Sequence, residues 1–314
     1  MKIAVIPGDG IGTEVIPAAL RVLSALQLDL EWDVLDWGAE RWLADGVGIP
    51  EGGLSGEYRA ILFGALGDPR IPDMAHGRAI LLGLRRGLDL YVNYRPIVLP
   101  GTTIDLYREN TQGLYAGVGG TTGETAIDVC VYSRSVVERF VRYCLRDLQH
   151  KGRRRVTLVH KANAVPNTGA LWQDVFRAEL ASVDLIGTEE YVDAFCYHLV
   201  RDPSRYEGVL TENLFGDIAS DVGAAVMGGL GLAASANLCP ETGFGLFEPV
   251  HGSAPDIAGT GTANPHAAIA SAALLLDHLG YDKAASAVQA CLRETPFEGS
   301  TESFTAAVLE GLSR

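Results

Sequence analysis

Two carboxylates four residues apart, Asp217 and Asp221 in "NLFGDIASD", have a spacing that suggests chemistry. On a helix this spacing places both side chains on one face, where like charges repel unless a cation lies between them. Divalent cations such as Mg²⁺ or Mn²⁺ take oxygen ligands and keep water molecules that a substrate can replace. Asp193 in "YVDAF" can supply a third carboxylate. A solvated acidic face is the alternative, although the apolar neighbours Leu214 and Phe215 argue against full exposure.

Three arginines stand at predicted segment ends, with Arg85 on a helix, Arg95 at a strand end and Arg108 before a turn. The guanidinium group is a planar fork that binds a carboxylate through two parallel hydrogen bonds. For any single arginine of so acidic a chain, a solvated salt bridge is the more common role. The three together indicate a substrate with two carboxylates. Tyr115 in "RENTQGLY", judged by type alone, is a core or surface tyrosine.

Lysine is scarce, since the chain has four lysines against 21 arginines. Lys161 is the one that follows an apolar strand-like run, in "LVHKAN". Burial can tune a lysine amine until it accepts a proton, whereas an arginine stays protonated. A chance surface lysine is equally compatible with the sequence, so Lys161 is a candidate base and no more at this point.

Two turn-rich segments are candidate nucleotide sites. "IPGDGIG" follows a strand, but its glycines are spaced G-x-G-x-G, which breaks the G-x-G-x-x-G dinucleotide fingerprint and leaves a tight turn as the alternative. The polar stretch "FEPVHGSAPDIAGTGTANP" lies between apolar segments, and loops of this length tend to be functional. Within it, Asp256 can accept hydrogen bonds from ribose hydroxyls and would repel a 2′-phosphate.

The elements that must position these residues follow an α/β order. Apolar runs at residues 3–6, 28–35 and 60–66 alternate with helix-like segments, which predicts a parallel sheet covered by helices. Residues 113–134 have the glycine, threonine and valine content of antiparallel hairpins, and helical spacing resumes over 136–148. Asn264 is predicted to cap a helix with Pro265 at its first position.

The hairpin-rich middle therefore looks like an insertion. We expect a first domain built from both chain ends, residues 1–90 plus 229–314, and a second domain over residues 91–228. The first domain is rich in parallel sheet.

Charge and composition exclude several function classes. A formal net charge of −14 over 314 residues argues against a nucleic-acid partner. The five cysteines are widely spaced without a C-x-x-C pair, which indicates a reducing compartment. No basic-then-apolar leader precedes Ile3, and no apolar stretch has the length of a membrane span. We expect a soluble cytoplasmic protein that binds no membrane.

Taken together, these segments resemble the β-decarboxylating dehydrogenases, the family of isopropylmalate and isocitrate dehydrogenases. The likeness covers almost the whole chain, through "IPGDGIG", "NYRP", "RENTQGLY", "HKAN", "YVDAF", "NLFGDIASD", "EPVHGSAPDIAG" and "ANP". It implies a two-domain α/β subunit whose second, inserted domain forms the dimer contact through its hairpin region. It also implies oxidation of a 2-hydroxy acid by NAD(P), followed by loss of the β-carboxylate.

The resemblance assigns roles to single residues. It implies that three arginines bind substrate carboxylates, that Tyr115 is the general acid and Lys161 the general base, and that three aspartates bind Mg²⁺ or Mn²⁺. The arginines are Arg85, Arg95 and Arg108, and the aspartates are Asp193, Asp217 and Asp221. In the family, Lys161 and Asp193 serve the neighbouring subunit's site. The implied assembly is a homodimer with shared active sites, with a tetramer as the larger alternative.

For the cofactor, "HGSAPDI" is similar to the branch of the family that uses NAD, in which Asp256 holds the adenosine ribose. The implied contacts are Ile11, Asn163, His251, Gly252, Ser253, Ala254, Asp256, Ile257 and Asn264. The resemblance thus implies that the adenosine of NAD binds at "HGSAPDI" and "ANP". It also implies that the opening glycine loop lies beside the nicotinamide, with Ile11 against the ring.

Substrate identity depends on the helix before Arg85. Charged or polar residues occupy its face in relatives that act on homoisocitrate or isocitrate, whereas this chain has Ala79, Leu81 and Leu82. An apolar face suits an isopropyl group and leaves a third carboxylate unpaired, which favours 3-isopropylmalate. Homoisocitrate, D-malate and tartrate are the alternatives. A non-catalytic regulatory subunit would lack the lysine, the tyrosine or the aspartates, and a stand-alone nucleotide module would not need three arginines.

Overall fold

The computed structural model describes residues 1–54 and 56–313 and separates into two units. Unit 1 comprises residues 1–90 and 229–314, and unit 2 comprises residues 91–228. The strands are β1 Lys2–Gly8, β2 Glu31–Val34, β3 Ala60–Ala65, β4 Val92–Leu99, β5 Thr102–Glu109, β6 Gly113–Thr122, β7 Thr125–Val131, β8 Arg155–His160, β9 Ile186–Tyr191, β10 Gly208–Thr211, β11 Ala234–Cys239 and β12 Phe244–Pro249.

The helices complete the element order. They are α1 Gly12–Ala25, α2 Ala39–Asp45, α3 Ala75–Gly77, α4 Gly83–Gly87, α5 Arg134–His150, α6 Pro166–Leu180, α7 Val192–Arg201, α8 Asn213–Met227, α9 His266–His278, α10 Asp282–Glu294 and α11 Thr301–Leu312. A π-helical turn, Arg78–Leu82, joins α3 to α4, and 3₁₀ turns cover Pro203–Arg205 and Leu230–Leu232. Among the described residues, no helix is both long and apolar enough to span a membrane, and the five cysteines are free thiols.

Unit 1 is built on a sheet in the order β2-β1-β3-β12-β11, which is parallel except for the antiparallel pair β11–β12. Its core includes Ile6, Ile61, Phe63 and Leu246, which are all buried. Helices α1 and α9 pack against each other and against strands of this sheet. The α/β fold class predicted from the sequence is confirmed.

The second strand is shorter than predicted. It was expected over residues 28–35, but β2 spans Glu31–Val34. The preceding backbone groups are used elsewhere, because the Leu28 carbonyl accepts from Leu30 N and the Asp29 carbonyl accepts from the Tyr281 hydroxyl. The pattern of apolar residues does not show which main-chain groups form hydrogen bonds outside the sheet.

Helix α9 begins one residue later than predicted. Pro265 is the N-cap rather than the first helical residue, with φ −83° and ψ 3°. The Asn264 side chain still caps the helix, since its Oδ1 accepts from His266 N at 3.0 Å. The proline, which has no N–H to donate, fits immediately before the first helical turn.

Unit 2 has its own sheet, in the order β4-β5-β10-β8-β9. Strands β5, β10, β8 and β9 are parallel, so their carboxyl ends meet at one edge. Arg108 pairs with Thr211 in register, and His160 pairs with Tyr191. This edge is where ligands bind in open α/β sheets.

The predicted hairpin is present as the antiparallel pair β6–β7. Most of its residues are exposed on both faces, including Val118, Ile127 and Val129. A two-stranded hairpin with both faces in water is marginally stable by itself.

Candidate active site

The carboxyl edge of the unit 2 sheet brings predicted site residues together. Arg108 is near the end of β5, and its guanidinium contacts two residues of α8, the helix that follows β10. Asn213 Oδ1 accepts from Arg108 Nε at 3.0 Å and from Nη2 at 2.7 Å, while Asp217 accepts from Nη1. Arg108 is 1% exposed, so the surroundings hold its side chain in one position.

Asp217 is the centre of this cluster. Its Oδ1 is bound by Arg108 and lies 3.4 Å from Arg95 Nη1, and its Oδ2 accepts from the Tyr115 hydroxyl at 2.7 Å. The Arg108 guanidinium also lies 5.0 Å from the centre of the Tyr115 ring. Burial, followed by the hydrogen bond to Asp217, raises the pKa of Tyr115. The phenol therefore stays protonated at neutral pH.

Arg95 does not lie at a strand end, as the sequence had suggested, but inside β4, where it pairs with Leu106. Its Nε donates to Asn93 Oδ1 at 2.7 Å and its Nη1 to Ser220 Oγ at 2.7 Å. Nη1 also lies 3.8 Å from Asp221 Oδ1. Residues on β4 and α8 thus turn the Arg95 side chain towards the aspartates although the residue itself is in mid-strand.

Asp217 and Asp221 lie one turn apart on α8, as predicted. The Asp221 side chain is 58% exposed, and its partial burial raises its pKa, an effect that Arg95 offsets in part. Two carboxylates with an exposed oxygen suit a hard divalent cation. Among the described residues no group of three or more metal-binding side chains comes together, so these two aspartates form an incomplete ligand set.

The third predicted ligand, Asp193, lies at the start of α7 and binds a different residue. Its Oδ1 is 2.5 Å from the Nζ of Lys161, which follows β8. This hydrogen bond lowers the pKa of Asp193. The predicted base and the predicted third ligand are therefore neighbours, and both are at least partly accessible.

Arg85 belongs to unit 1 and is 7% exposed. Its Nη2 donates to Glu248 Oε1 at 2.8 Å, and Asn237 Nδ2 donates to the same oxygen at 2.9 Å. Arg85 Nε is buried without a hydrogen-bond partner among the described residues. A buried guanidinium with one unused N–H can take a further acceptor.

Leu81 and Leu82 are half-buried on the π-helical turn that precedes Arg85. Leu81 packs against the core of unit 1. Single π-turns within helices occur frequently at functional sites.

Except for Ile11, the predicted cofactor residues of unit 1 lie on one segment without helix or strand, residues 251–264. It meets the opening glycine loop, because Ile11 N donates to the Ser253 carbonyl at 2.8 Å. Gly10 has φ +52°, and a Cβ there would lie 2.1 Å from the same carbonyl oxygen. The loop must therefore have glycine at this position to pack against the segment. Ile11 is itself 5% exposed and has little surface for a ring.

His251 has an acceptor atom that a bound nucleotide could use. Its Nδ1 lies 2.9 Å from the Gly252 carbonyl, which can only accept, so Nδ1 carries the proton. Burial lowers the pKa of His251, and the neutral ring then presents Nε2 as an acceptor. Nε2 is buried and has no partner among the described residues, so it suits a donor such as an adenine amino group.

The other predicted contacts differ in exposure. Asp256 is exposed, Ile257 and Asn264 are half-buried, and Ala254 is half-buried with a left-handed backbone, φ +39°. Asn163 lies in unit 2, in the loop after β8, where it is exposed.

Four residues that hold the arginines were not predicted from the sequence: Asn93, Asn213, Ser220 and Glu248. Glu248 is 6% exposed on β12 between Phe247 and Pro249. An acid in an otherwise apolar strand needs a buried cation, so the pattern "LFEP" was the available signal. Asn213 offered no such signal, because an asparagine that opens a helix is common.

The chain is similar to known proteins over most of its length. A profile of the family described as isocitrate/isopropylmalate dehydrogenase matches residues 2–306. The chain is 44% identical to 3-isopropylmalate dehydrogenase of Thermobifida fusca, over 94% of this chain and 90% of that protein. It is 45% identical to the same enzyme of Bifidobacterium longum subsp. infantis, over 93% of each chain.

Solved structures give the same result for the fold. An isocitrate dehydrogenase from Methylococcus capsulatus superposes with a TM-score of 0.91 at 33% identity, covering 100% of this chain and 99% of that one. A β-decarboxylating dehydrogenase from Thermococcus kodakarensis in its apo form gives a TM-score of 0.88 at 36% identity, covering 99% and 96%.

Proposed function

The chain belongs to the isocitrate/isopropylmalate dehydrogenase family, and on that premise we propose that it catalyses the NAD-dependent oxidative decarboxylation of 3-isopropylmalate. The observation that carries this proposal is the cluster on α8, in which Asp217 meets Arg108, Arg95 and Tyr115. It combines cations for substrate carboxylates, carboxylates for a divalent cation and a protonated phenol.

Each residue of the site has a separate role in the proposed reaction. Arg95 and Arg108 bind carboxylates of the substrate, and Arg85, held by Glu248, binds a further carboxylate oxygen through its remaining N–H groups. Lys161 Nζ accepts the proton of the 2-hydroxyl group. With the hydride of C2 passed to the NAD that the site would hold, the product would be a ketone that loses its β-carboxylate as CO₂, and Tyr115 delivers its phenolic proton to the carbon that carried this carboxylate.

Two bound groups complete the site. Asp217 and Asp221, with Asp193 of a second copy, would hold Mg²⁺ or Mn²⁺, and segment 251–264 would hold NAD. When bound, the cation supplies Lewis-acid polarisation of the substrate oxygens, and NAD supplies the hydride acceptor. The exposed oxygens of Asp221 and the unused Nε2 of His251 support these assignments.

The choice of substrate rests on Leu81 and Leu82. Both side chains are half-buried, so each keeps exposed apolar surface close to Arg85 in the sequence, although Leu81 also packs against the core of unit 1. An isopropyl group gains from such a surface, whereas a third carboxylate placed there would be desolvated without a partner. The relatives named 3-isopropylmalate dehydrogenase in Thermobifida fusca and Bifidobacterium longum support the same choice.

We further propose that the working form is a homodimer with shared sites. Unit 2 exposes large apolar side chains on α7 and α8, where Tyr197 is 63% exposed, Val200 61% and Ile218 52%. The hairpin β6–β7 adds three exposed valines, Val118, Val129 and Val131, and the exposed Ile127. Exposed apolar groups of this kind mark association surfaces, and a second copy would supply the missing Asp193 ligand and Lys161 base.

The test is NADH formation by the purified protein with Mg²⁺ or Mn²⁺. We expect the highest kcat/KM with 3-isopropylmalate, in comparison with homoisocitrate, isocitrate, D-malate and tartrate. A preference for homoisocitrate would refute the role given to Leu81 and Leu82. Absence of turnover on all five acids would refute the dehydrogenase proposal and favour a non-catalytic ligand-binding subunit.

A further inference from the structure

One carboxylate from the first helix binds the segment that carries the predicted cofactor residues. Glu14 lies in the first turn of α1, and its Oε1 accepts from Gly259 N at 2.5 Å while its Oε2 accepts from Gly261 N at 2.9 Å. Both glycines have left-handed backbones, with φ +77° and +69°. Their N–H groups converge on one anion, as in the backbone nests that bind phosphates and carboxylates.

Apart from those to Glu14, few hydrogen bonds join segment 251–264 to the rest of unit 1. Ser253 accepts from Ile11 N at its beginning, and Thr301 binds the carbonyls of Gly261 and Ala263 near its end. Among the hydrogen bonds of the described residues, the bond from Gly259 to Glu14 is the one that ties residues 254–260 to the rest of unit 1. That stretch contains Asp256 and Ile257, which are predicted to hold the adenosine.

We propose that Glu14 is a positioning residue for the cofactor, which fixes the 254–261 turn in its binding conformation before NAD arrives. This inference rests on the proposed function for the identity of the ligand. Glu14 contacts the backbone of the turn and no residue assigned to the chemistry. Its effect is therefore on cofactor affinity rather than on the reacting groups.

The same geometry removes a competing interpretation of the G-x-G pair Gly259 and Gly261. A glycine turn with converging N–H groups next to nucleotide contacts would be a natural pyrophosphate cradle. Here Glu14 already occupies both N–H groups, and its negative charge would repel a phosphate. The turn binds a carboxylate of this chain, so a bound pyrophosphate would need other donors.

The physical reason for an effect on affinity is preorganisation. If the turn samples several conformations, the apparent dissociation constant equals the intrinsic one divided by the fraction of molecules in the binding conformation, so it rises as that fraction falls. Hydrogen bonds to a charged acceptor are the strong ones, so loss of this pair should release the turn. Once NAD is bound at saturation, the turn is ordered again and turnover changes little.

The experiment compares Glu14→Gln with the wild type and with Glu31→Gln, a matched change at an exposed site on β2. Glutamine keeps one acceptor oxygen but turns an NH₂ group towards the second backbone N–H. We expect Kd and KM for NAD to rise about tenfold in Glu14→Gln, with kcat and the KM for isopropylmalate changed by less. Glu14→Ala, which removes both acceptors, should bind NAD more weakly still. Glu31→Gln should have the same Kd and KM for NAD as the wild type.

Hydrogen–deuterium exchange without NAD gives a readout that is independent of activity. Backbone amides of residues 254–262 should exchange faster in Glu14→Gln, while peptides from β1 and β3 keep their protection. Unchanged exchange in this stretch, or faster exchange with an unchanged Kd for NAD, would overturn the inference. A wild type that fails to bind NAD would instead overturn the proposed function, and the exchange result would still decide whether Glu14 orders the turn.

Discussion

Tyr115 donates its phenolic hydrogen to Oδ2 of Asp217 at 2.7 Å, although the two residues are 102 positions apart in the chain. This bond joins the predicted general acid to a predicted metal ligand. It also keeps the proton on the phenol, because burial and the neighbouring carboxylate both raise the pKa of Tyr115. Tyr115 is 37% exposed, so a substrate can reach it.

The change Tyr115→Phe removes the proton donor while it preserves the ring that lies against Arg108. We expect kcat to fall about 10²- to 10⁴-fold, the usual contribution of a general acid. Steady-state NADH formation measures the effect, and circular dichroism with the thermal midpoint checks that the fold is unchanged. A kcat within threefold of wild type would remove Tyr115 from the mechanism.

The shared-site proposal predicts complementation between two inactive variants. Lys161→Met removes the base, and Lys283→Met, at an exposed lysine on α10, is its matched control with wild-type activity. When Lys161→Met and Tyr115→Phe subunits are mixed, unfolded and refolded together, half of the dimers would carry one intact site. We expect recovery to roughly a quarter of wild-type activity from random pairing. If each chain builds its own site, mixing restores nothing.

The affinity for the divalent cation should depend on Asp221. Its side chain is the more exposed of the two aspartates on α8. Asp221→Asn keeps the shape but removes one negative charge from the ligand set, so Mn²⁺ should bind at least about tenfold more weakly. Titration with Mn²⁺, followed by electron paramagnetic resonance, measures this without turnover. Asp184→Asn, at an exposed aspartate before β9, is the control. Chelation by EDTA should abolish wild-type activity, and added Mn²⁺ should restore it; activity that survives EDTA would contradict the metal assignment.

His266 should make unfolding depend on pH. Burial lowers the pKa of this histidine from 6.5 to about 4, and its Nδ1 has no hydrogen-bond partner among the described residues. The unfolded chain takes up a proton on this histidine near pH 6.5, whereas the folded chain does so only near pH 4. The contribution of neutral His266 to the free energy of unfolding is therefore fully present above pH 6.5 and is lost as the pH falls towards 4. Between pH 7 and pH 5 the free energy of unfolding should drop by about 2 kcal/mol from this group.

Urea denaturation at the two pH values measures that difference. In His266→Gln the drop should be smaller by about the same 2 kcal/mol. An equal drop in the variant and the wild type would show that other groups carry the pH dependence.

The sequence was sufficient for the family and the fold class. Eight short motifs in fixed order predicted a β-decarboxylating dehydrogenase, and the family profile over residues 2–306 confirms that identification. Alternating apolar runs predicted the α/β fold, and the glycine-rich stretch predicted the hairpin β6–β7; both are confirmed. These predictions are correct because periodicity and turn composition are local properties of the chain.

Only the tertiary structure decided which side chains support the site. Arg85 is held by Glu248, 163 residues away, and Gly261 by Glu14, 247 residues away. Arg95 was expected at a strand end and lies in mid-strand, yet Asn93 and Ser220 direct it towards Asp217. A linear pattern does not encode such pairs, because each depends on which strand ends and helix turns meet after the sheet has formed. The types of residue were readable from the sequence, and their partners were set by packing.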